Sequence, residues 1–220
     1  MPKIITTIGK IIDGSDENFS TQEAQKYLTQ ALNQNAWKAT FPEFGNSGYI
    51  SCELSHEQID QTYTLHIYLK PVKFRSGRNE REKQHQMSAN VDMRGYDAVQ
   101  SDITQTLALG IYVIPNTNKK DFLICAWEAF EWGPNKGKKP FNHNLKIELL
   151  SEAQIYGIAS TISTNRRIFT FKPEFIHYYL FNKDKLHSND GILASFLIDN
   201  ITLENTQAPL QKIFYGSPGT

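Results

Sequence analysis

From Tyr63 to Lys70 the chain alternates: Tyr63, Leu65, Ile67 and Leu69 occupy one set of positions, and Thr64, His66, Tyr68 and Lys70 the other. A period of two predicts a half-buried strand, with His66 an exposed strand residue and Pro71 ending the run. Asn46 to Leu54 has the same character. Two longer apolar runs, Gln105 to Ile114 and Asp121 to Phe130, are of strand length, and the PNTNKK between them supplies turn chemistry through Pro115, Asn116 and Asn118. They are expected to pair as a hairpin. Arg166 to Lys172 and the GILASFLIDNITL segment read as further strands.

Helical spacing is confined to three places. Ala24, Tyr27, Leu28, Ala31 and Leu32 share one face of a predicted helix over Ser20 to Asn35, and Ser20 with Glu23 has the spacing of a capping box. Ser151 is placed to cap a short helix, SEAQIYGIA. Pro173 opens a third, PEFIHYYLFNKDKL, with Glu174 in its first turn, a buried stripe of Phe175, Ile176, Tyr179 and Leu180, and His177 in a structural role.

Composition narrows the class. With 40% hydrophobic and 12% aromatic residues in 220, the chain has the material for a folded core. No apolar run reaches the roughly 20 residues of a membrane span, and Thr6, Thr7, Gly9 and Lys10 interrupt any signal-like segment, so the expected location is the cytoplasm. Cys52 and Cys125 lie in apolar contexts and are expected to be buried, reduced thiols. The six histidines show no zinc-like clustering with them.

The formal net charge is zero, but it is unevenly placed. In Lys73 to Met87, KFRSGRNEREKQHQM, five basic residues face two acidic ones, for a local +3. Ser76, Gly77, Asn79, Gln84 and Gln86 add amides, a hydroxyl and a turn-permitting glycine, and the stretch is predicted to lie outside the core. Arg forks onto guanine, Asn or Gln onto adenine, and all hold phosphate oxygens. A second segment, EWGPNKGKKPFNHN (Glu131 to Asn144), sets Lys136, Lys138 and Lys139 against Glu131, for +2, and its Gly and Pro content predicts a loop rather than a helix or central strand. The bland alternative for both is a solvated face whose ions pair at the surface for less than about 1 kcal/mol each.

Catalytic signatures are missing. No lysine has Asp or Glu two residues before it, as a common nuclease core requires, and there is no His-x-Lys pair. Gly110-Ile111-Tyr112 lacks the second half of a GIY-YIG site, and Asn142-His143-Asn144 lacks the rest of a ββα-metal site. There is no phosphate-binding loop and no nucleophile elbow. Glu128 and Glu131 are the remaining acid-base candidates. The pattern favours binding over catalysis, with no catalytic residue, metal or cofactor assigned.

The succession of a strand, FRSGRNEREKQHQM, a polar linker, TLALGIY, a turn, FLICAWEAF, a Gly/Lys loop and RIFTFKPEFIHYYL resembles the DNA-recognition pseudobarrels of prokaryotic restriction endonucleases. The EcoRII N-terminal and BfiI C-terminal domains are of this type, and plant transcription-factor DNA-binding domains share the fold. The resemblance spans roughly Phe41 to Leu180. It implies an α+β, mostly β fold: a seven-stranded open pseudobarrel with short flanking helices, gripping double-stranded DNA with two major-groove arms. It also implies a division into an N-terminal helical extension (1–40), the pseudobarrel (41–186) and a C-terminal extension (187–220). Carried over, the arms are Lys73 to Lys83 and Trp132 to Asn144, the same segments that charge and loop chemistry single out, and they are expected to leave neighbouring edges of the barrel. Arg75, Arg78 and Asn79 would read base edges, with Ser76 beside them. Lys73, Arg81, Lys83, Lys136, Lys138 and Lys139 would hold phosphates, and Asn135, Asn142 and Asn144, with Trp132, would add contacts from the second arm. The implied function is sequence-specific DNA recognition in a restriction-modification or related defence system, with a nuclease domain or subunit as a further partner. The alternatives are a restriction endonuclease with an irregular site of its own, a modified-cytosine reader with an aromatic pocket of Trp127, Trp132 and Tyr112, and a module that meets an acidic protein.

Overall fold

The alternating segment becomes a 17-residue strand running from Ile59 through Pro71 to Arg75. The computed structural model describes residues 2–42, 50–75, 84–90, 103–118, 121–129, 140–163 and 166–187. In chain order these form β1 (Lys3–Ile5), β2 (Ile11–Asp13), α1 (Thr21–Leu32), β3 (Trp37–Thr40), β4 (Ile50–His56), β5 (Ile59–Arg75) and β6 (Gln84–Asn90). There follow β7 (Thr104–Val113), β8 (Phe122–Trp127), β9 (Pro140–Leu145), α2 (Ile147–Tyr156), β10 (Ile158–Ser163), β11 (Arg166–Phe171), a 3-10 turn (Pro173–Phe175) and α3 (Ile176–His187). The GILASFLIDNITL segment lies outside the described residues.

The main sheet runs β10-β11-β8-β7-β5-β4-β3, seven strands, with β6 joined to β5 and β9 to β6. All pairs are antiparallel except β5 with β7. The fold is α+β and mostly β, an open curved sheet with short helices, as the sequence predicts. β7 and β8 pair as expected, with Ala108 opposite Trp127 and Val113 opposite Phe122.

Both sheet faces are covered, which is why β7 and β8 read as continuous apolar runs. On one face Leu65, Ile67, Leu107, Leu109, Ile124 and Phe169 pack with Leu28 and Leu32 of α1 and with Tyr179 of α3. On the other, Tyr68, Val72, Ala108, Leu123, Cys125 and Trp127 pack with Leu149 and Ala153 of α2, Ile5 of β1 and Met87 of β6. Gly110 lies under that second layer because a Cβ there would come 2.5 Å from Val72 and 3.0 Å from Trp127. Cys52 and Cys125 are free, buried thiols whose pKa burial pushes up to about 12.

The capping box of α1 is present: Ser20 Oγ accepts from the Glu23 amide, and Glu23 Oε2 accepts from the Ser20 amide. Other expectations need correcting. Pro71 does not end its strand. Along one edge of β5 the pairing with β4 stops at Ile67 and that with β6 starts at Val72, so Pro71 sits in a gap in the ladder where a missing N–H is tolerated. His66 is half-buried, not exposed. Ser151 does not cap a helix; α2 starts at Ile147, and Ser151 Oγ donates to the Gly9 carbonyl, which seats the β1-β2 hairpin. The sequence reading also passed over β1, β2, β3 and β10.

His177 is structural as expected, 3.1 Å through Nε2 from the Leu32 carbonyl and stacked on Trp37 at 5.2 Å. Burial lowers the pKa of both His177 and His187 from 6.5 to about 4. The unfolded chain takes up these protons near 6.5 while the folded chain refuses them until about 4, so stability is full above the former and falls as pH drops toward the latter. The expected loss between pH 7 and pH 5 is on the order of 2 kcal/mol per histidine. Urea unfolding at the two pH values checks this, and His177→Gln should flatten the dependence.

Candidate nucleic-acid interface

The last four residues of β5, with β6 and β9, form a three-stranded meander at one end of the sheet. Its register fixes two faces. Phe74 is opposite His85 and Val72 opposite Met87, while His85 is opposite Leu145 and Met87 opposite His143. This is the inner face: His85, Met87 and Leu145 are buried, and the His143 ring stacks on Trp127 at 5.5 Å. The outer register carries Lys73 opposite Gln86 and Gln86 opposite Asn144, with Arg75 opposite Gln84 and Ser88 opposite Asn142. No Asp or Glu occupies any of these outer positions.

A strap over residues 14–19 pins this meander. The Asp16 carboxylate accepts from the Phe74 amide and lies 3.2 Å from His85 Nε2. β7 pairs with β5 only as far as Pro71, so beyond it the β5 edge needs another acceptor, and Asp16 supplies it. Lys73 Nζ donates to Asn18 Oδ1 at 2.6 Å and lies 5.9 Å from the Phe19 ring centroid. Glu17 accepts from the Asn116 amide at 3.4 Å, which ties the strap to the β7-β8 turn. Sequence reasoning missed the strap, whose signal in SDENF is only a short polar run ending on an aromatic.

Of the expected DNA-contacting residues, Arg75 and Asn144 are exposed and Lys73 is half-buried against the strap. Asn142 lies in β9. Ser76, Arg78, Asn79, Arg81, Lys83, Trp132, Asn135, Lys136, Lys138 and Lys139 lie outside the described residues. Two expectations change. His85, Gln86 and Met87 of the basic stretch are buried in a strand: His85 and Met87 take the inner register, and Gln86, in the outer one, is covered between β5 and β9. The 140–144 part of the second segment is also strand, and β9 takes the proline at its first position, paired with β6 alone. Segment 76–83 joins Arg75 to Gln84 at one end of β6, and segment 130–139 leads into Pro140 opposite Asn90 at the other. Six residue steps at about 3.4 Å separate these roots by about 20 Å. They sit at opposite ends of one strand, not at neighbouring edges.

The aromatic pocket suggested for a modified base does not form from Trp127 and Tyr112. Both are buried, and the Tyr112 hydroxyl accepts from the Ile5 amide at 3.4 Å. Trp132 and Glu131 lie outside the described residues. Glu128 Oε2 is 3.8 Å from His187 Nδ1, and His187 Nε2 is 2.9 Å from the Tyr179 hydroxyl. That cluster sits where α3 meets β8, with His187 and Tyr179 in the core. Among the described residues no group of three His, Cys, Asp or Glu is placed to hold a metal, and no helix is long and apolar enough to cross a membrane.

The fold and this edge describe a mostly β protein carrying a polar, carboxylate-free sheet face between two basic segments. The chain belongs to the Methylase-associated X1 family, whose model matches residues 63–180, more than half its length. The family ties it to restriction-modification-associated domains. Comparison with curated proteins and with solved structures gives no match.

If Asp16 holds the meander, Asp16→Ala leaves the Phe74 amide without its acceptor, at a cost of about 1–3 kcal/mol. Urea unfolding should show that loss, and hydrogen exchange should speed first at Phe74 and His85. Asp16→Asn, which keeps an acceptor oxygen, should lose less.

Proposed function

We propose that this chain is the sequence-specific DNA-binding component of a restriction-modification system and that it grips the duplex through the segments flanking β6. The observation that carries the reading is the outer face of the meander, which presents Lys73, Arg75 and Asn144 and no carboxylate, rooted at both ends in basic, amide-rich chain. Roots about 20 Å apart are wider than the roughly 12 Å major groove, so the two segments approach a duplex from either side of the face. The methylase-associated family supplies the biological setting.

The roles follow from side-chain chemistry. Arg75, Arg78 and Asn79 read base edges by bidentate bonding, worth about 1–3 kcal/mol per good pair. Lys73, Arg81, Lys83, Lys136, Lys138 and Lys139 neutralise phosphates and set register. Lys73 does so by exchanging its Asn18 partner, a neutral amide, for a phosphate oxygen. Asn135, Asn142 and Asn144 add contacts from the second segment. The activities of a nuclease or methylase belong to a partner domain or subunit in this reading.

A selection on random duplex followed by mobility-shift titration tests it. Six phosphate contacts predict that log affinity falls with log salt at a slope of about −5, and a slope near zero removes the proposal. Arg78→Ala should weaken the selected site far more than random duplex; equal losses would make Arg78 a phosphate contact. Lys138→Ala should weaken both alike.

A further inference from the structure

Behind the meander, on the face opposite Lys73 and Arg75, the surface opens into a cleft of about 620 Å³ between β5, β6, α2 and β10. That lies inside the range of roughly 300–1,000 Å³ typical of ligand sites. Its floor is Phe74, half-buried and edge-on to the buried His85 ring at 5.7 Å, with Leu149 beside them. Thr161 on β10, opposite Ile168 of the second core, offers its hydroxyl along one wall, while Ser160, of the other parity, turns its hydroxyl to Arg167 on the far face. The charged lining is Lys146 and Lys3, the latter paired with Asp13, together with Glu148 and Glu152. A rim of both signs suits neither a free phosphate nor a free ammonium. A flat aromatic floor with donors and acceptors at its sides suits a planar, neutral heterocycle that presents both.

We propose that this cleft binds a nucleobase, its ring against Phe74 and its edge toward Thr161 and the charged groups of the lining. The proposal rests on the DNA-binding reading for one of two sources, a base swung out of a duplex; a free nucleotide is the other. Phe74 and Arg75 are consecutive residues at the end of β5, so the cleft floor and the proposed base-reading arginine flank the root of the same segment. Every base has a face that stacks on an aromatic ring, and extrusion is easiest where pairing is already weak.

The probes are the four deoxynucleoside monophosphates, followed by saturation-transfer NMR, and a duplex with 2-aminopurine at a mismatch, followed by fluorescence and mobility shift. Nucleotide signals and a rise in 2-aminopurine emission are expected, both reduced at least tenfold in affinity by Phe74→Leu, which keeps the apolar bulk but removes the ring. If that variant unfolds, Thr161→Val replaces it, with a several-fold loss expected. Monophosphate binding without a change in emission on a bound duplex assigns the free nucleotide as the source. A duplex that shifts while neither probe responds overturns the cleft and leaves DNA binding standing. Monophosphates that bind in a protein that shifts no duplex overturn the DNA reading and leave the cleft. Equal binding by the wild type and the folded Phe74→Leu variant also overturns the proposal.

Discussion

The structure depends on β5 serving two partners along one edge. Through Ile67 it pairs with β4 and from Val72 with β6, while the opposite edge lies parallel to β7 up to Pro71. Because side chains alternate, the same strand sends Leu65, Ile67 and Leu69 into one core and Tyr68 and Val72 into the other. Neither core closes without it. The partner change also sets the position of the meander: β5 outruns β7, and its exposed amide at Phe74 then needs the Asp16 carboxylate.

Signals that combine a period with a local chemical cue were legible in the sequence. The Ser20 capping box, the turn between β7 and β8, and Pro173 ahead of α3 each mark a boundary beside an apolar pattern. Three-residue strands such as β1 and β2 are too short for a period of two to register, and β10, IASTIS, is dominated by small and hydroxylated residues. Pro71 misled because its tolerance depends on which neighbour lies alongside, a tertiary fact. The start of α2 was hidden because Lys146, its cap residue, makes no side-chain cap bond.

The candidate site shows the same division. Summing charge over Lys73 to Met87 locates a basic stretch but ignores alternation, and so it treats His85 and Met87 as surface. Only the register of β6 against β5 and β9 sorts that stretch into an outer row with Lys73 and Arg75 and an inner row that belongs to the core. Trp127 and Tyr112 are the converse case: aromatic residues near polar segments suggest a pocket, and the strand parity of β7 and β8 puts both in the second core. Phe74, which the sequence reading never singled out, faces the cleft.

In the proposed reading a chain of zero net charge meets a polyanion only with its acids kept from the contact face, and the N-terminal segment commits several of its acids elsewhere. Asp13 pairs with Lys3 at 2.8 Å, Asp16 holds the Phe74 amide and His85, Glu17 takes the Asn116 amide, and Glu23 closes the cap of α1. Each of these carboxylates is committed to a donor that positions backbone or a neighbouring strand. All four precede Tyr63, where the family match begins, yet Phe19 and Leu28 from the same segment fill the first core. The residues ahead of the matched region therefore do two jobs at once: they complete the core beneath β5, and they hold acidic groups at its edge on the side of the strap, while the outer positions of β6 and β9 carry amides, a serine and a proline.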